Sequence, residues 1–229
     1  MLPPQHLLMA DISDYQESYI ARRYKRAGRR AIMIKAGDGL SAAGCAHHGA
    51  RADASHDVGL VVVHYLMAVY HDPPDQCIRN LLERIRPHWH TGDKMLIDVE
   101  DYSGPAEHAR PWVLGAQAEL HRQKAPAAAA YSNEAYLAEG GPSLAATAPW
   151  WLVAAYDGRR FAGGGMPKIP GGHSQLLGKQ YTDGQVGAEP HIQPGIGPCD
   201  NSILTSTGLA YLTGSKTVPQ LRRHPLKRH

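Results

Sequence analysis

Long apolar runs are missing from this 229-residue sequence. A membrane-spanning helix needs about 20 consecutive apolar residues, and the longest run here, Gly59–Ala68, is interrupted by His64. The sequence therefore excludes stable insertion into a membrane. The composition, 43% hydrophobic and 20% charged, is ordinary for a globular protein. The length permits one large domain or two small ones, with enough residues for a substantial core.

Cysteine is scarce, and the common metal and nucleotide motifs are absent. Cys45, Cys77 and Cys199 lie far apart without CxxC spacing, which excludes a disulfide framework and a zinc knuckle. The 14 histidines form no HExxH or comparable ligand spacing, so we expect no metal site. The glycine clusters match neither a P-loop nor a dinucleotide fingerprint, and no GxSxG is present. We therefore expect no cofactor.

A signal peptide is also missing from the first residues, MLPPQHLLMADISDYQ, which carry no charged n-region and no small-residue cleavage site. This pattern predicts a protein made in a cytoplasm. Any action outside the cell would then need another exit route.

Basic residues outnumber acidic residues only because of the C-terminal segment. Five of the 24 basic residues follow Asp200, the last acid, and the remainder of the chain has 19 basic against 21 acidic residues. Such a body is not typical of a nucleic-acid-binding domain, so nucleic acid is not an expected partner. The basic tail can contact an anionic wall polymer or membrane surface, or it can be a solvated terminus. Its basic residues are Lys216, Arg222, Arg223, Lys227 and Arg228.

Short apolar runs predict eight strands, several of them continuously apolar as in sheets buried on both faces. Helical spacing predicts helices over Gln16–Ala27, Pro74–Ile85 and Pro111–Gln123. Strands that alternate with helices favour a parallel sheet, and eight strands favour a closed barrel. The final third is poorer in helix, so its strands should follow one another without full crossover helices. The predicted strands are Leu8–Ile12, Ala31–Ala36, Gly59–Met67, Met95–Glu100, Ala127–Ser132, Trp151–Tyr156, Lys179–Thr182 and Asp200–Leu204.

Acidic residues stand at the ends of three predicted strands. The fourth strand runs directly into Asp98 and Glu100, whose Cα atoms should lie about 6.6 Å apart on one face. Asp11 ends the first strand and Asp200 opens the last. Two close carboxylates discourage each other's ionisation, and an acid beside an anion is what glycosidic cleavage requires. The alternative is an acidic strand end that faces solvent or pairs with Lys and Arg.

Other candidate residues also lie near strand ends. Lys35 follows an apolar run and can neutralise the acids, bind a substrate oxygen or form a structural ion pair. Aromatic residues can stack on sugar rings, although core packing is the alternative for each of them. The aromatic candidates are Tyr65, Tyr131, Tyr156, Tyr181, Trp150 and Trp151.

Taken together, these motifs resemble glycoside hydrolase family 25, the muramidases of many bacteriophage endolysins and of some bacterial and fungal secreted lysozymes. Asp11–Gln16 resembles the family's opening DxSxxQ element, and Leu96–Glu100 its DxE signature. The other matching segments, in the family's order, are Ala31–Ala36, Gly59–Tyr65, Ala130–Asn133, Trp151–Tyr156, Gln180–Thr182 and Cys199–Ser202.

The resemblance implies a modified TIM-like barrel, (β/α)5(β)3, over residues 1–206, followed by a basic tail over 207–229. It also implies hydrolysis of the β-1,4 bond between N-acetylmuramic acid and N-acetylglucosamine in bacterial peptidoglycan, with retention of configuration. Glu100 would be the general acid, and Asp98 would stabilise positive charge or orient the substrate's 2-acetamido group. Asp11 and Asp200 would line the same pocket. The residues expected to bind substrate are Lys35, Tyr65, Tyr131, Tyr156 and Gln180.

The sequence departs from the family at several positions. Leu66-Met67 stands where the family commonly has His-Phe, Gly178 where it often has Trp, and Gly37-Asp38-Gly39 where it usually has Thr-Glu-Gly. The acids are retained while aromatic residues differ, which bears on subsite specificity.

Three functions are therefore compatible with the sequence. The first is a muramidase, released as a phage endolysin through a holin or carried on a virion, that acts at the bacterial cell wall. The second is a catalytically degenerate barrel that binds wall glycans or has a structural role. The third is a related barrel hydrolase that acts on another polysaccharide. The oligomeric state is left open.

Overall fold

The structure is a computed structural model that describes residues 8–14, 19–101, 106–155, 167–172, 175–182 and 199–214. Eight strands form one closed barrel, and each strand pairs with its neighbours in chain order. The fold class predicted from sequence, a modified TIM-like barrel, is confirmed. The strands are β1 Leu8–Ile12, β2 Arg29–Asp38, β3 Val61–Met67, β4 Lys94–Asp98, β5 Ala129–Asn133, β6 Trp150–Ala154, β7 Gln175–Thr182 and β8 Asp200–Leu204.

Helices follow the first five strands, and strands β6, β7 and β8 complete the barrel. Strands β1 to β7 run parallel, whereas β8 is antiparallel to both β7 and β1. The first residue of β8 therefore lies at the end of the barrel where the other strands finish, which we call the open end. The helices are α1 Ala21–Arg26, α2 His48–Asp57, α3 Pro74–Ile85, α4 Ala109–Arg122, α5 Glu134–Ala145 and α6 Ser206–Thr213.

Strand alternation divides the core into an inner and an outer layer. Along β4, Met95 and Ile97 point outward into the layer beneath the helices, and Leu96 points into the barrel. The interior layer of apolar side chains contains Met33 and Leu152, among others. These apolar side chains fill the interior of the barrel away from the open end, so the acids at the open end pack directly above an apolar layer.

Helix α3 begins and ends as the sequence predicts. Pro74 occupies its first turn, and the negative charge of Asp75 is stabilised by the positive end of the helix dipole. Ile78, Leu81 and Ile85 are buried on one face of the helix. Helix α1 is shorter than predicted. Its first residue is Ala21, because Ile20 has an extended backbone that ends the helical geometry there.

Besides α6, which is described below, helices α2 and α5 were not predicted from the sequence, for physical reasons. Helix α2 buries His48, Arg51 and Ser55, so it lacks the apolar stripe by which helices are recognised. Helix α5 contains Pro142 and a kink at Gly141, whose φ of 62° interrupts the helix. Both helices form because their side chains pack against the barrel rather than because of a strong local pattern.

Helix α6 lies in the segment expected to form the tail. Thr205 caps it by accepting a hydrogen bond from the Gly208 amide at 3.0 Å, and a Cβ at Gly208 would lie 2.0 Å from the Leu177 carbonyl oxygen. Leu212 joins the interior apolar cluster at the end opposite the acids. Residues 206–213 thus close that end of the barrel. The basic residues of the tail lie outside the described residues.

Within the part of the chain that the structure describes, no helix is long and apolar enough to cross a membrane. The three cysteines are buried and free.

Candidate active site

Four carboxylates converge at the open end of the barrel, and we call them the acid cluster: Asp11, Asp98, Glu100 and Asp200. Asp11 on β1 lies directly opposite Asp200 on β8 in the antiparallel register. Asp98 is the last residue of β4, and Glu100 lies two residues beyond it. The antiparallel direction of β8, which the sequence analysis did not predict, is what brings Asp200 to this end.

The backbone around Asp98 and Glu100 is held by both neighbouring strands. The Ala68 amide donates to the Asp98 carbonyl at 2.9 Å, and the Val99 amide donates to the Tyr131 carbonyl at 2.8 Å. The Ser132 hydroxyl donates to the Val99 carbonyl at 2.8 Å. Val99 is fully buried in the outer layer, so Asp98 and Glu100 point to the opposite, interior side, as predicted from strand alternation.

Burial is the main cause that raises the pKa of Asp98 above its usual range. Glu100 and Asp11 raise it further by charge repulsion, and the Lys35 ammonium partly offsets them. The Oδ1 atom of Asp98 is buried and has no hydrogen-bond partner among the described residues. Asp98 thus has an unsatisfied acceptor within the acid cluster.

Glu100 is held near the middle of its titration at neutral pH. Burial raises its pKa from 4.5 to about 7, while hydrogen bonds from Asn133 oppose the shift and the charge of Asp200 adds to it. The side-chain Nδ2 of Asn133 donates to Glu100 Oε1 at 3.4 Å. A carboxyl group with this pKa can carry a proton at neutral pH and still release it.

Asp11 is the third strongly perturbed carboxyl of the cluster. Burial and then the charge of Asp200 raise its pKa, while hydrogen bonding with Tyr65 and the charge of Lys35 lower it. Its Oδ1 atom is also buried without a partner in the described part of the chain. The acid cluster is therefore electrostatically unfavourable, which is typical of a functional site.

The predicted cation Lys35 forms an ion pair with Asp38, a partner that was not predicted from the sequence. Its Nζ lies 2.8 Å from Oδ2 of Asp38, the last residue of β2. Its charge nevertheless lowers the pKa of Asp11 and Asp98. Lys35 thus combines two of its predicted roles, a structural ion pair and partial neutralisation of the acids.

The aromatic candidates separate into two groups. Tyr65 and Tyr131 are buried inside the barrel, and the Tyr131 hydroxyl donates to Gln180 Oε1 at 2.5 Å. By contrast, Trp150 packs on Tyr211 of α6 with ring centroids 4.8 Å apart, at the closed end. Trp151 is fully buried in the outer layer. Core packing thus accounts for both tryptophans.

The two remaining aromatic candidates are Tyr181 and Tyr156. Tyr181 is buried. Tyr156, which the sequence analysis assigned to substrate binding, lies outside the described residues.

Asn133 is the site residue that the sequence analysis missed. It ends β5 and caps α5, since its Oδ1 accepts from the Tyr136 amide at 2.8 Å. An Asn followed by Glu134 at the end of an apolar run is a helix-start signal that could have located it. Its contact with Glu100 depends on the pairing of β4 with β5 and is not visible in either local sequence.

Among the described residues, no group of three or more His, Cys, Asp or Glu side chains is arranged to hold a metal ion.

A scan against protein-family models matches residues 10–187 to glycosyl hydrolases family 25. The chain belongs to this family. A search of curated protein sequences gives no match. The family assignment agrees with the resemblance seen in the sequence motifs.

Solved structures with the same fold include proteins from fungi, bacteria and phages. The muramidase from Trichobolus zukalii is 16% identical, with 91% of this chain and 100% of that chain covered and a TM-score of 0.70. The bacterial lysozyme from Streptomyces coelicolor is 18% identical, with 92% and 98% covered and a TM-score of 0.69. The catalytic domain of the endolysin ply40 from bacteriophage P40 of Listeria monocytogenes is 18% identical, with 92% and 98% covered and a TM-score of 0.67.

Proposed function

We propose that this family 25 glycosyl hydrolase is a muramidase that cleaves the β-1,4 bond between N-acetylmuramic acid and N-acetylglucosamine in bacterial peptidoglycan. The observation that carries the proposal is the acid cluster, in which Glu100, with a pKa of about 7, lies beside other carboxylates at the open end of the barrel. Structural relatives bear the names muramidase, lysozyme and endolysin. The structure of another, the autolysin LytC from Streptococcus pneumoniae, contains a synthetic peptidoglycan ligand.

Glu100 is the general acid in this proposal. Its proton passes to the glycosidic oxygen as the bond to the muramic acid anomeric carbon breaks, and the electron pair of that bond remains on the leaving oxygen. Glu100 is then an anion that removes a proton from the incoming water. Its pKa of about 7 suits both steps.

Asp98 and its neighbours stabilise the positive charge that develops on the sugar. Asp98 acts either directly or by orienting the 2-acetamido group of the substrate as an internal nucleophile, and both routes retain the configuration. Asp11 and Asp200 hold sugar hydroxyls and tune this pair. Lys35, Tyr65, Tyr131 and Gln180 bind substrate around the acids.

The proposal is tested by digesting purified peptidoglycan, reducing the soluble fragments with borohydride and identifying the reduced ends by mass spectrometry. The wild type should create reduced muramic acid ends, and Glu100→Gln should abolish them. Glu107→Gln, which changes an exposed glutamate at the start of the α4 region, is the matched control and should behave as the wild type. Reduced glucosamine ends would contradict the assigned bond.

Retention is tested separately on a soluble glycan, by following the anomeric proton signals during the first turnovers. The β-anomer should form first and then mutarotate. Initial formation of the α-anomer would contradict the retaining mechanism while leaving the hydrolase assignment intact.

A degenerate wall-binding barrel is the competing function. Wall binding alone does not need several buried carboxylates with raised pKa values, because such groups lower the stability of the fold at neutral pH. Binding to walls without any new reducing ends would favour this alternative. For the muramidase, the proposed setting is the bacterial cell wall, reached by release through a holin or from a virion.

A further inference from the structure

Asn133 occupies the junction of two elements, so its side chain has little freedom. It is the last residue of β5, and α5 starts at the next residue, Glu134. Its φ of −82° and ψ of 160° continue the strand geometry. Alternation along β5 puts its side chain on the same side as that of Tyr131, which points into the barrel.

The two ends of the Asn133 amide have different partners. Oδ1 accepts from the Tyr136 amide at 2.8 Å, and Nδ2 donates to Glu100 Oε1 at 3.4 Å. The reverse orientation would place Oδ1 against the carboxylate and the NH2 group against the Tyr136 N–H, and both contacts would be repulsive. Capping of α5 therefore fixes which end of the amide faces Glu100.

The end of β5 also supports the backbone that carries Glu100. Tyr131 accepts from the Val99 amide and Ser132 donates to the Val99 carbonyl, both at 2.8 Å. Asn133 continues this series, since its side-chain Nδ2 and its backbone N–H both hydrogen-bond the Glu100 side chain and the side chain lowers the Glu100 pKa more. Glu100 itself lies beyond the last residue of β4, so these contacts from β5 supply lateral support where the strand has ended.

We propose that Asn133 is a positioning residue that selects the Glu100 oxygen from which the proton is transferred. This rests on the proposed role of Glu100 as general acid. Because the Nδ2–H of Asn133 points at Oε1, that oxygen acts as acceptor, and the proton resides on Oε2. When Oε2 delivers its proton to the glycosidic oxygen, the same N–H stabilises the carboxylate that is left.

The charged surroundings of Glu100 make this donor important. Asp200 on β8 faces it with negative charge, and Asp98 on β4 lies close enough for the charge of Glu100 to raise the pKa of Asp98. Asp101 and the Tyr136 hydroxyl lie on the segments beside it. Burial and then the charge of Asp200 favour the protonated form of Glu100, whereas the hydrogen bonds from Asn133 favour the ionised form and lower the pKa. Asn133 thus keeps a buried acid able to release its proton.

The test separates helix capping from hydrogen-bond donation to Glu100. Asn133→Ser keeps an N-cap oxygen but its side chain is too short to reach Glu100, and Asn133→Ala loses both side-chain functions. Both variants keep the backbone N–H that also contacts Glu100, so they isolate the side-chain donor. The melting temperature should depend on the cap, so Asn133→Ser should melt close to the wild type and Asn133→Ala about 2–4 °C lower. Activity should follow the donor, so both variants should lose about tenfold or more in kcat.

The pH profile gives a second readout that capping alone does not move. Loss of the donor should raise the pKa of Glu100 and move the basic limb of the kcat profile upward by about half a unit to one unit in both variants. Asn133→Asp, which keeps the shape and the cap but replaces the donor with a carboxylate oxygen, should move it further. Wild-type activity and an unmoved basic limb in Asn133→Ser would overturn the proposal.

Failure of this inference can be told apart from failure of the proposed function by titrating the Glu100 carboxyl carbon by NMR. The Glu100 pKa should be higher in Asn133→Ser than in the wild type whether or not the protein cleaves peptidoglycan. An unchanged pKa would overturn the positioning role even if the wild type is an active muramidase.

Discussion

Two groups of ionisable side chains lie on this barrel, the acid cluster at its open end and a set of histidines on its outer surface. The second group, which we call the histidine network, consists of His48 and His56 of α2, His64 of β3 and Asp93, which precedes β4. Burial acts on both groups, but their charges are arranged differently, since the network pairs its histidines with one carboxylate whereas the acid cluster brings carboxylates together. That difference separates a candidate site from a structural element.

The hydrogen bonds of the histidine network converge on the Asp93 carboxylate. This carboxylate accepts from His64 Nε2 at 3.2 Å, from His56 Nε2 at 3.0 Å and from the His90 amide at 2.8 Å. Since His64 Nε2 is a donor, its Nδ1 accepts from His48 Nε2, at 2.8 Å. Each of these hydrogens has a partner, and the network joins α2 and β3 to the segment before β4.

Burial shifts the pKa values of the two groups in opposite directions. It raises the pKa of Glu100 to about 7 and lowers the pKa of His48 to about 3, because in both cases the neutral form is favoured. Both groups leave buried acceptor atoms without a partner in the described chain, Nδ1 of His48 and His56 in the network and Oδ1 of Asp11 and Asp98 in the acid cluster. The network pairs its histidines with one carboxylate, whereas the acid cluster places carboxylates next to one another so that their charges raise each other's pKa. We infer that the second arrangement is kept for a substrate.

The largest expected effect comes from removing the acid itself. Glu100→Gln should lower turnover by about 10²-fold or more, because the amide cannot donate a proton to the leaving oxygen. Initial rates of release of soluble glycan at the optimal pH measure the loss. Near-normal turnover would contradict the role of Glu100, and circular dichroism checks that the fold is retained.

A second large effect is expected at Asp98. Asp98→Asn should lower turnover by at least about tenfold, because the neutral amide stabilises developing positive charge less well than a carboxylate. Sedimentation of the variant with insoluble walls measures binding independently of cleavage. Wall binding should persist while cleavage is lost, and full cleavage would remove Asp98 from the mechanism.

In the histidine network, His48→Gln should sharpen the comparison by removing one titrating group. The glutamine amide can still donate to His64 Nδ1. In the wild type the unfolded chain binds a proton at His48 below about pH 6.5, whereas the folded chain does not do so until about pH 3. The free energy of unfolding therefore decreases as the pH is lowered from 7 to 5. The variant should lose about 2 kcal/mol less than the wild type between pH 7 and pH 5.

Urea unfolding at the two pH values measures this difference. His47→Gln, which changes the neighbouring histidine with 68% of its side chain exposed, is the control and should leave the pH dependence unchanged. Equal losses in wild type and His48→Gln would show that His48 is not held neutral by burial. The other groups that face His48 are His64, His88, Arg84 and Asp53.

The smallest expected effect concerns the stability contribution of Glu100, which has the opposite sign. Its pKa is raised in the folded state, so its contribution is full below about pH 4.5 and is lost as the pH rises towards 7. Glu100→Gln should therefore become more stable relative to the wild type over this range. The expected gain is on the order of 1 kcal/mol, since solvent reaches the partly exposed carboxyl. Melting temperatures at pH 4.5 and 7 measure it, and a relative loss at pH 7 would contradict the shift.

The acid cluster was accessible from sequence because its signals are local. Apolar runs that end in Asp11 and in Asp98-Val99-Glu100 identify two strand ends directly. The boundaries of α3 were predicted for the same reason, as its apolar face and Pro74 lie within one short segment.

Features that depend on pairing or on polar packing were not accessible. The direction of β8, the contact of Asn133 with Glu100 and the position of Trp150 at the closed end follow from which strands and helices meet. Helix α2 was missed because its buried face is formed by residues such as His48 and Arg51, whose burial depends on partners in distant segments. Fourteen histidines in the composition did not reveal this network.

The most direct test of the account is the pKa of Glu100 in the wild-type protein, measured by carbon NMR titration of its side-chain carboxyl with Glu100→Gln used to assign the signal. The account predicts a value of about 7, since burial at the open end of the barrel favours the protonated acid. A value near the ordinary 4.5 would contradict it, because Glu100 would then be ionised at neutral pH and would have no proton to give to the leaving sugar.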